Sequence, residues 1–221
     1  MRFKNELLAE FLGSMFLVMA AVSPMILFAN VLESGYGIAL IANALAVAFV
    51  LCALIEIFGP VSGAHFNPLV TMMMVFEKKI RIAKAAAFVL CQFAGGIAGT
   101  AASRIMFFHE AGAVLAISQN VRNEYVFFGE VFGTFILVLA VLMLAKAGST
   151  KTPIVIGFLV GGQAMATSST MFANPQVTVA RMLTTTPAGI RPADGAVFII
   201  VQFSGALLAY AMYRILKEKR K

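Results

Sequence analysis

Apolar residues fall in long stretches along this chain, separated by short polar and charged segments. Six of these stretches, 6–29, 38–58, 83–107, 125–147, 153–170 and 193–216, each have about the 20 residues a helix needs to cross a bilayer. Two others, 67–76 and 174–184, are too short to cross. Each begins at an asparagine–proline pair, Asn67-Pro68 in SGAHFNPLVT and Asn174-Pro175 in MFANPQVTVA. Proline suits the first turn of a helix, where its missing N–H has no intrahelical partner to lose. The pattern therefore predicts two half-helices that enter the bilayer and stop, one from each side. Irregular backbone at that depth is tolerated only where it is buried in protein or lines a water-filled cavity.

Composition agrees with this class. Of 221 residues, 61% are hydrophobic and 12% charged, about half the charge of a soluble domain. The net charge of +7 could suggest nucleic acid, but its distribution points to topology instead. Arg2, Lys4, Lys78, Lys79, Arg81, Lys84, Lys146, Lys151, Arg214, Lys217, Lys219, Arg220 and Lys221 fall on one predicted face, and Arg104, Arg122, Arg181 and Arg191 on the other. This is the positive-inside pattern, with both termini cytoplasmic and no nucleic-acid partner. The closing KEKRK reads as a topology anchor. Cys52 and Cys91 lie inside apolar runs and read as small buried hydrophobes, with neither a disulfide nor metal-ligand spacing. The N-terminal run resembles a signal peptide, but Phe11–Phe28 is too long for one and has a counterpart later, so it is kept as the first span.

That counterpart belongs to an internal repeat. AEFLGSMFLV from Ala9 matches GEVFGTFILV from Gly129, FNPLVT matches ANPQVT, and CQFAGGIAG from Cys91 matches VQFSGALLA from Val201. Three features recur in one order, so the chain reads as two halves, about 1–112 and 113–221, of one transmembrane domain. Each half has three spans, an odd number, so the second half is inverted in the membrane. Gly95, Gly96, Gly99, Gly129, Gly133, Gly157 and Gly161 read as close-packing positions between helices.

Each half-helix turns roughly +0.5 charge toward the bilayer centre, and the Asn67 and Asn174 amides add N–H donors there. Solute oxygens would accept these bonds, while a cation would meet two positive ends. Glu10 and Glu130 are intramembrane carboxylates at matched repeat positions. They are expected to hold the re-entrant loops by accepting backbone N–H bonds, with a proton relay as the other reading. His65 reads as a loop brace, with pH gating as its alternative. Glu56 has no repeat partner and no role beyond loop support. Met72, Met73 and Met74 face different ways on a helix and read as core rather than a soft-metal site.

At SGAHFNP, AEFLG and the second Asn-Pro, the chain resembles the major intrinsic protein family of aquaporins and aquaglyceroporins over nearly its whole length. The resemblance implies an all-α fold of six tilted membrane helices and two half-helices, with an inverted repeat. It further implies a homotetramer in a bacterial inner (plasma) membrane, with one pore per subunit for water and small neutral solutes. No catalytic residue, metal or cofactor is implied. The central constriction would comprise Asn67, Pro68 and Leu69 with Asn174, Pro175 and Gln176. Leu69 and Gln176 depart from the family's Asn-Pro-Ala.

Counting from the asparagines as the family does, the selectivity filter falls on Val47, Gly162, Met171 and Val177, where the family nearly always has arginine at the last position. Such a filter is wide and apolar. In lacking the arginine the chain resembles bacterial family members linked to metalloid handling, and that resemblance, together with the aperture, implies passage of glycerol-like solutes and neutral metalloid hydroxides such as arsenite, including methylated arsenicals, with some water. Arg181 lies one turn beyond Val177, about 6 Å by helix pitch. It would sit at the outer mouth, either attracting anions and polarising solutes or contacting lipid headgroups or a loop. A proton-coupled transporter on the same inverted repeat is the alternative function, and a junctional protein with a vestigial pore is a third.

Overall fold

The computed structural model describes residues 2–217. The KEKRK anchor lies outside the described residues beyond Lys217. Among the described residues nine α-helices follow one another: α1 Arg2–Ile26, α2 Tyr36–Ser62, α3 Pro68–Phe76, α4 Ile82–Met106, α5 Phe108–Ala111, α6 Glu124–Ala147, α7 Thr152–Ala166, α8 Pro175–Arg181 and α9 Pro192–Lys217. A π-helical turn, Leu27–Val31, extends α1 just past Pro24. Among the described residues there is no strand.

The two short helices start as the sequence predicts. Asn67 and Asn174 are extended N-caps whose side-chain oxygens accept from Leu69 N and Gln176 N, and proline fills the first helical position in each. α8 ends at Arg181, three residues before its expected limit at 184. Among the described residues five helices are long and apolar enough to cross a membrane: α1 with its π turn, α2, α4, α6 and α9. The expected fifth span, 153–170, is a correction in length: α7 has only 15 residues. Thr167 and the serines after it cause the stop. The Thr167 hydroxyl bonds back to Gln163 O, and Ser169 Oγ accepts from Met171 N, so side chains replace the helical ladder. The chain then runs irregularly to Asn174.

α1 packs on α4 and α2, α6 on α9, and α2 on α7. Glycines admit the approach. A Cβ at Gly95 would meet the Phe11 carbonyl of α1, and one at Gly205 would meet the Val131 carbonyl of α6. These contacts occupy the same place in each repeat, as close packing in lipid requires. Gly157 meets Cys52 and Ala48, and Gly161 meets Ala48 and Ala44. α7 therefore runs antiparallel to α2, with Val160 abreast of Val47 and Ala164 abreast of Asn43. Both cysteines are free and partly buried.

Ion pairs gather the terminal end of the bundle. Lys84 meets Glu6 at 2.8 Å, and Lys217 meets Glu77 at 2.8 Å. Tyr210 and Tyr213 also donate to Glu77, which joins the end of α3 to the end of α9. Burial alone would raise the Glu77 carboxyl, but donation from Lys217, Tyr210 and Tyr213 outweighs it and holds the group below its ordinary value. A carboxylate so lowered stabilises the folded state above its unfolded pKa of about 4.3, and that contribution is lost as pH falls through the folded value. Thermal melts of detergent-solubilised protein are expected to show a smaller loss of stability below about pH 4.5 in Glu77→Gln than in the parent; parallel pH profiles would count against this latch.

Candidate functional site

The site begins with two buried carboxylates. Glu10 on α1 accepts from His65 N and Ser62 Oγ through one oxygen, and from Phe66 N and Gln92 Nε2 through the other. Glu130 on α6 accepts from Phe172 N, Ala173 N and Gln202 Nε2. Gln92 also donates to Thr71, and Gln202 to Thr178. The two networks correspond member for member between the halves. They hold backbone that would otherwise be strained. Ala64 and Phe66 have φ of 50° and 45°, and their counterparts Met171 and Ala173 have 48° and 47°. Each residue in that left-handed region costs about 1–2 kcal/mol without glycine. Both glutamates thus accept from consecutive amides of the loop beside them. Glu56 is exposed on α2 and, among the described residues, accepts no hydrogen bond from either loop, so the loop support expected of it finds no contact.

The asparagines then bind the loops to each other. Asn67 Nδ2 donates to Ala173 O at 2.8 Å, and Asn174 Nδ2 donates to Phe66 O at 2.8 Å. A carboxamide nitrogen carries two N–H groups, so each keeps one for the cavity that both residues line. His65 lines the same cavity, with Nδ1 3.1 Å from Thr71 Oγ1 and its ring edge-on to Phe88.

This cavity has a volume of about 390 Å³. Its wall is four helical faces at four-residue spacing: Asn43, Val47, Leu51 and Ile55 of α2; Thr152, Ile156, Val160 and Ala164 of α7; Leu17 and Ala21 of α1; and Leu137, Val141 and Ala145 of α6. Leu17 and Ala21 correspond to Leu137 and Val141 in the repeat. Lys79 and Thr152 lie at the terminal end and Arg181 at the other. No aspartate or glutamate is in the lining.

Several sequence assignments change here. Leu69 is fully buried and packs with Met73, Val138 and Leu142 behind the wall. Gln176 is fully buried too; its amide donates to Phe66 O, and its oxygen lies where a Cβ on Gly96 would be. Neither lines the cavity, nor do Pro68 and Pro175, so among the six residues named for the constriction only the two asparagines face it. Gly162 is exposed, with open space where a Cβ would be, and lies on the face of α7 opposite the lining. Val160 takes its place beside Val47, with Met171 and Val177 also in the lining. The count of twelve residues back from Asn174 fails because α7 stops at Ala166 and the connection after it is irregular, so helical register does not carry through.

Arg181 is not turned to lipid. It is 5% exposed and stacks its guanidinium 3.6 Å from the Phe172 ring centroid. Its Nε donates to Ala188 O. The loop contact and the cavity-facing position thus hold together. Sequence reasoning left Gln92, Gln202, Thr71 and Thr178 without roles, although both glutamines stood in the repeat match. Phe172 and Arg104 carried no sequence signal. Among the described residues, no group of three or more His, Cys, Asp or Glu could hold a metal. Met73 is core, and Met74 both packs and lines the cavity.

Two inverted three-helix halves, each contributing a half-helix that ends at an asparagine beside one cavity, define a membrane channel architecture. The chain belongs to the major intrinsic protein family, whose family model matches residues 1–171. It is 37% identical over 211 residues to aquaglyceroporin AqpS of Rhizobium meliloti (strain 1021), covering 95% of this chain and 89% of that one. It is 29% identical over 145 residues to glycerol uptake facilitator protein-like 6 of Lactiplantibacillus plantarum, covering 62% of each. The X-ray structure of the aquaglyceroporin from Plasmodium falciparum shares the fold, with a TM-score of 0.74, 16% identity, and coverage of 96% of this chain and 94% of that one. The relatives and the fold are those of channels, not enzymes.

Two variants probe this geometry. Glu130→Gln replaces one of the two oxygens that accept from Phe172 N and Ala173 N with an N–H₂ and leaves that amide without an acceptor, at a cost of about 3 kcal/mol; a lower melting temperature and lower folded yield are expected in detergent, and an unchanged melt would remove the support role. Ala164→Phe is expected to abolish solute flux per folded protein, whereas Gly162→Phe leaves it near the parent value. Stopped-flow light scattering on proteoliposomes separates the two, and the reverse result would restore the counted filter.

Proposed function

We propose that the protein is a passive channel for small uncharged solutes, with a wide apolar filter formed by Val47, Met171 and Val177 together with Val160. The carrying observation is that the cavity holds two asparagine amides at its centre and only apolar side chains in this tier. A glycerol-like solute or a neutral metalloid hydroxide such as arsenite fits a ring without a guanidinium. A methylated arsenical gains further from it, because its methyl groups meet valine and methionine rather than charge. Water loses hydration there with little return, so its flux is modest. The names of the aquaglyceroporin and glycerol-facilitator relatives are consistent with polyol passage.

Ions are excluded by the same features. The half-helix ends and the unspent asparagine N–H groups oppose cations at the constriction. Glu10 and Glu130 spend their oxygens on loop backbone and glutamine, off the solute path, which favours a channel over a proton-coupled transporter. Arg181 is the cation of the outer mouth.

The channel works as one domain of two halves, about 1–112 and 113–221, in a homotetramer in the bacterial inner membrane. Both termini are cytoplasmic, because ten of the described cations lie at the terminal end or its loops and four at the other.

Val177→Arg tests the filter. In proteoliposomes with a panel of neutral solutes, glycerol and arsenite flux is expected to fall by about an order of magnitude or more, with water affected least. Parent flux should rise linearly with solute concentration and ignore a proton gradient. Equal glycerol flux in the two proteins would overturn the filter, and saturating, gradient-dependent flux would overturn the channel.

A further inference from the structure

Four arginines lie at the end of the bundle away from the termini, and they differ in how their charge is met. Arg104 is fully buried and fully engaged: Nε donates to Ala113 O, Nη1 to Thr184 and Thr185, and Nη2 to Ala111 O. Arg191 pairs with Asp194 at 2.7 Å. Arg181 is 95% buried by its 5% exposure, yet only its Nε has a partner. Its two Nη groups make no hydrogen bond, and among the described residues no carboxylate lies within 4.0 Å of it. Arg181 lines the cavity, and neither Nη atom is among the sealed, unpartnered polar atoms of the interior.

An arginine that only shaped this loop would look like Arg104. A buried guanidinium left half-satisfied is costly, and here the surroundings add to that cost. Arg122 places a second guanidinium 5.7 Å from the centroid of Phe172, the ring on which Arg181 stacks. Of the two acidic groups that act on Arg181, Tyr36 is a phenol, and the one carboxyl, Glu130, has both oxygens committed to Phe172 N, Ala173 N and Gln202. No carboxylate lines the cavity, and Lys79 adds positive charge at its far end. The tier is therefore an electropositive pocket with a planar donor fork held flat by an aromatic ring. A guanidinium fork of this kind matches paired oxygens of an oxyanion. One helical turn inward lie Val47 and Val177, which offer an apolar floor and no donors.

We propose that this outer tier is an anion-binding site, in which a small monovalent oxyanion with a short apolar tail seats its oxygens on the Arg181 Nη groups and its tail toward Val47 and Val177. The anion does not continue inward, because the apolar tier cannot replace its hydration. It occupies the mouth and slows neutral solutes. This inhibition rests on the channel reading above, whereas the binding itself does not.

Methanesulfonate, an anion at every working pH with a methyl tail, is a suitable probe. Saturation-transfer NMR on its methyl protons, with the full chain in nanodiscs, should show saturable binding that equal concentrations of chloride do not displace. Arg181→Gln should weaken it by about tenfold or more. Arg181→Lys, which keeps the charge and loses the fork, should fall between. Each variant is compared at a matched melting profile, and the lysine variant carries the test if the glutamine variant does not fold. In proteoliposomes, methanesulfonate should lower glycerol flux saturably in the parent, relative to each protein's own anion-free rate, and less in both variants. No saturable binding to the parent, or binding unchanged in the folded variants, overturns the site. Binding without any effect on a measurable glycerol flux overturns the plug. Absence of glycerol flux under every condition would sink the channel reading and leave the binding result standing.

Discussion

Two stretches of non-helical backbone sit at the middle of an apolar bundle, and their N–H groups must find acceptors there. Water is scarce at that depth and an unmet N–H is expensive. Glu10 and Glu130 meet the demand, each taking two consecutive amides and a glutamine. A neutral side chain could not do this, since a carboxylate alone offers only acceptors. Once these amides are fixed, the alternating left-handed residues of both loops are held, and the asparagines are placed to cross-bond to the opposite loop.

The reciprocal asparagine bonds turn two half-helices into one unit. Each carboxamide spends its oxygen on its own helix start and one N–H on the other loop, which leaves one N–H for the cavity. The centre of the cavity is thus rigid and equipped with donors. Apolar and charged tiers line the cavity around it. The tier containing Val47, Val160 and Val177 is apolar, and the next tier outward contains Asn43, Ala164 and Arg181. The positive group lies one helical turn beyond Val177 along α8.

The departures at Leu69 and Gln176 show how sequence novelty can stay silent at a site. Both follow a proline at the start of a half-helix, next to the residue that matters most, yet both side chains point away from the cavity. Leu69 joins the core under α6. Gln176 fits because Gly96 leaves room for its amide, and it adds a second donor to Phe66 O beside Asn174. The small residue on α4 and the large one on α8 are one packing solution.

By itself the sequence determined five of the six spans, the two asparagine–proline helix starts, the repeat and the carboxylate pair. These depend on local chemistry: run length against bilayer thickness, proline's fixed φ, and matched segments whose order survives any packing. It also marked Asn67, Asn174, Val47, Met171 and Val177, all of which line the cavity. Tertiary structure decided which face of α7 looks inward, because the break after Ala166 erased the register from which Gly162 was counted. It alone decided that Arg181 folds onto Phe172 rather than out to lipid, and that Arg104 is spent on loop carbonyls. Those outcomes depend on partners far along the chain, whose distances only the packed bundle sets.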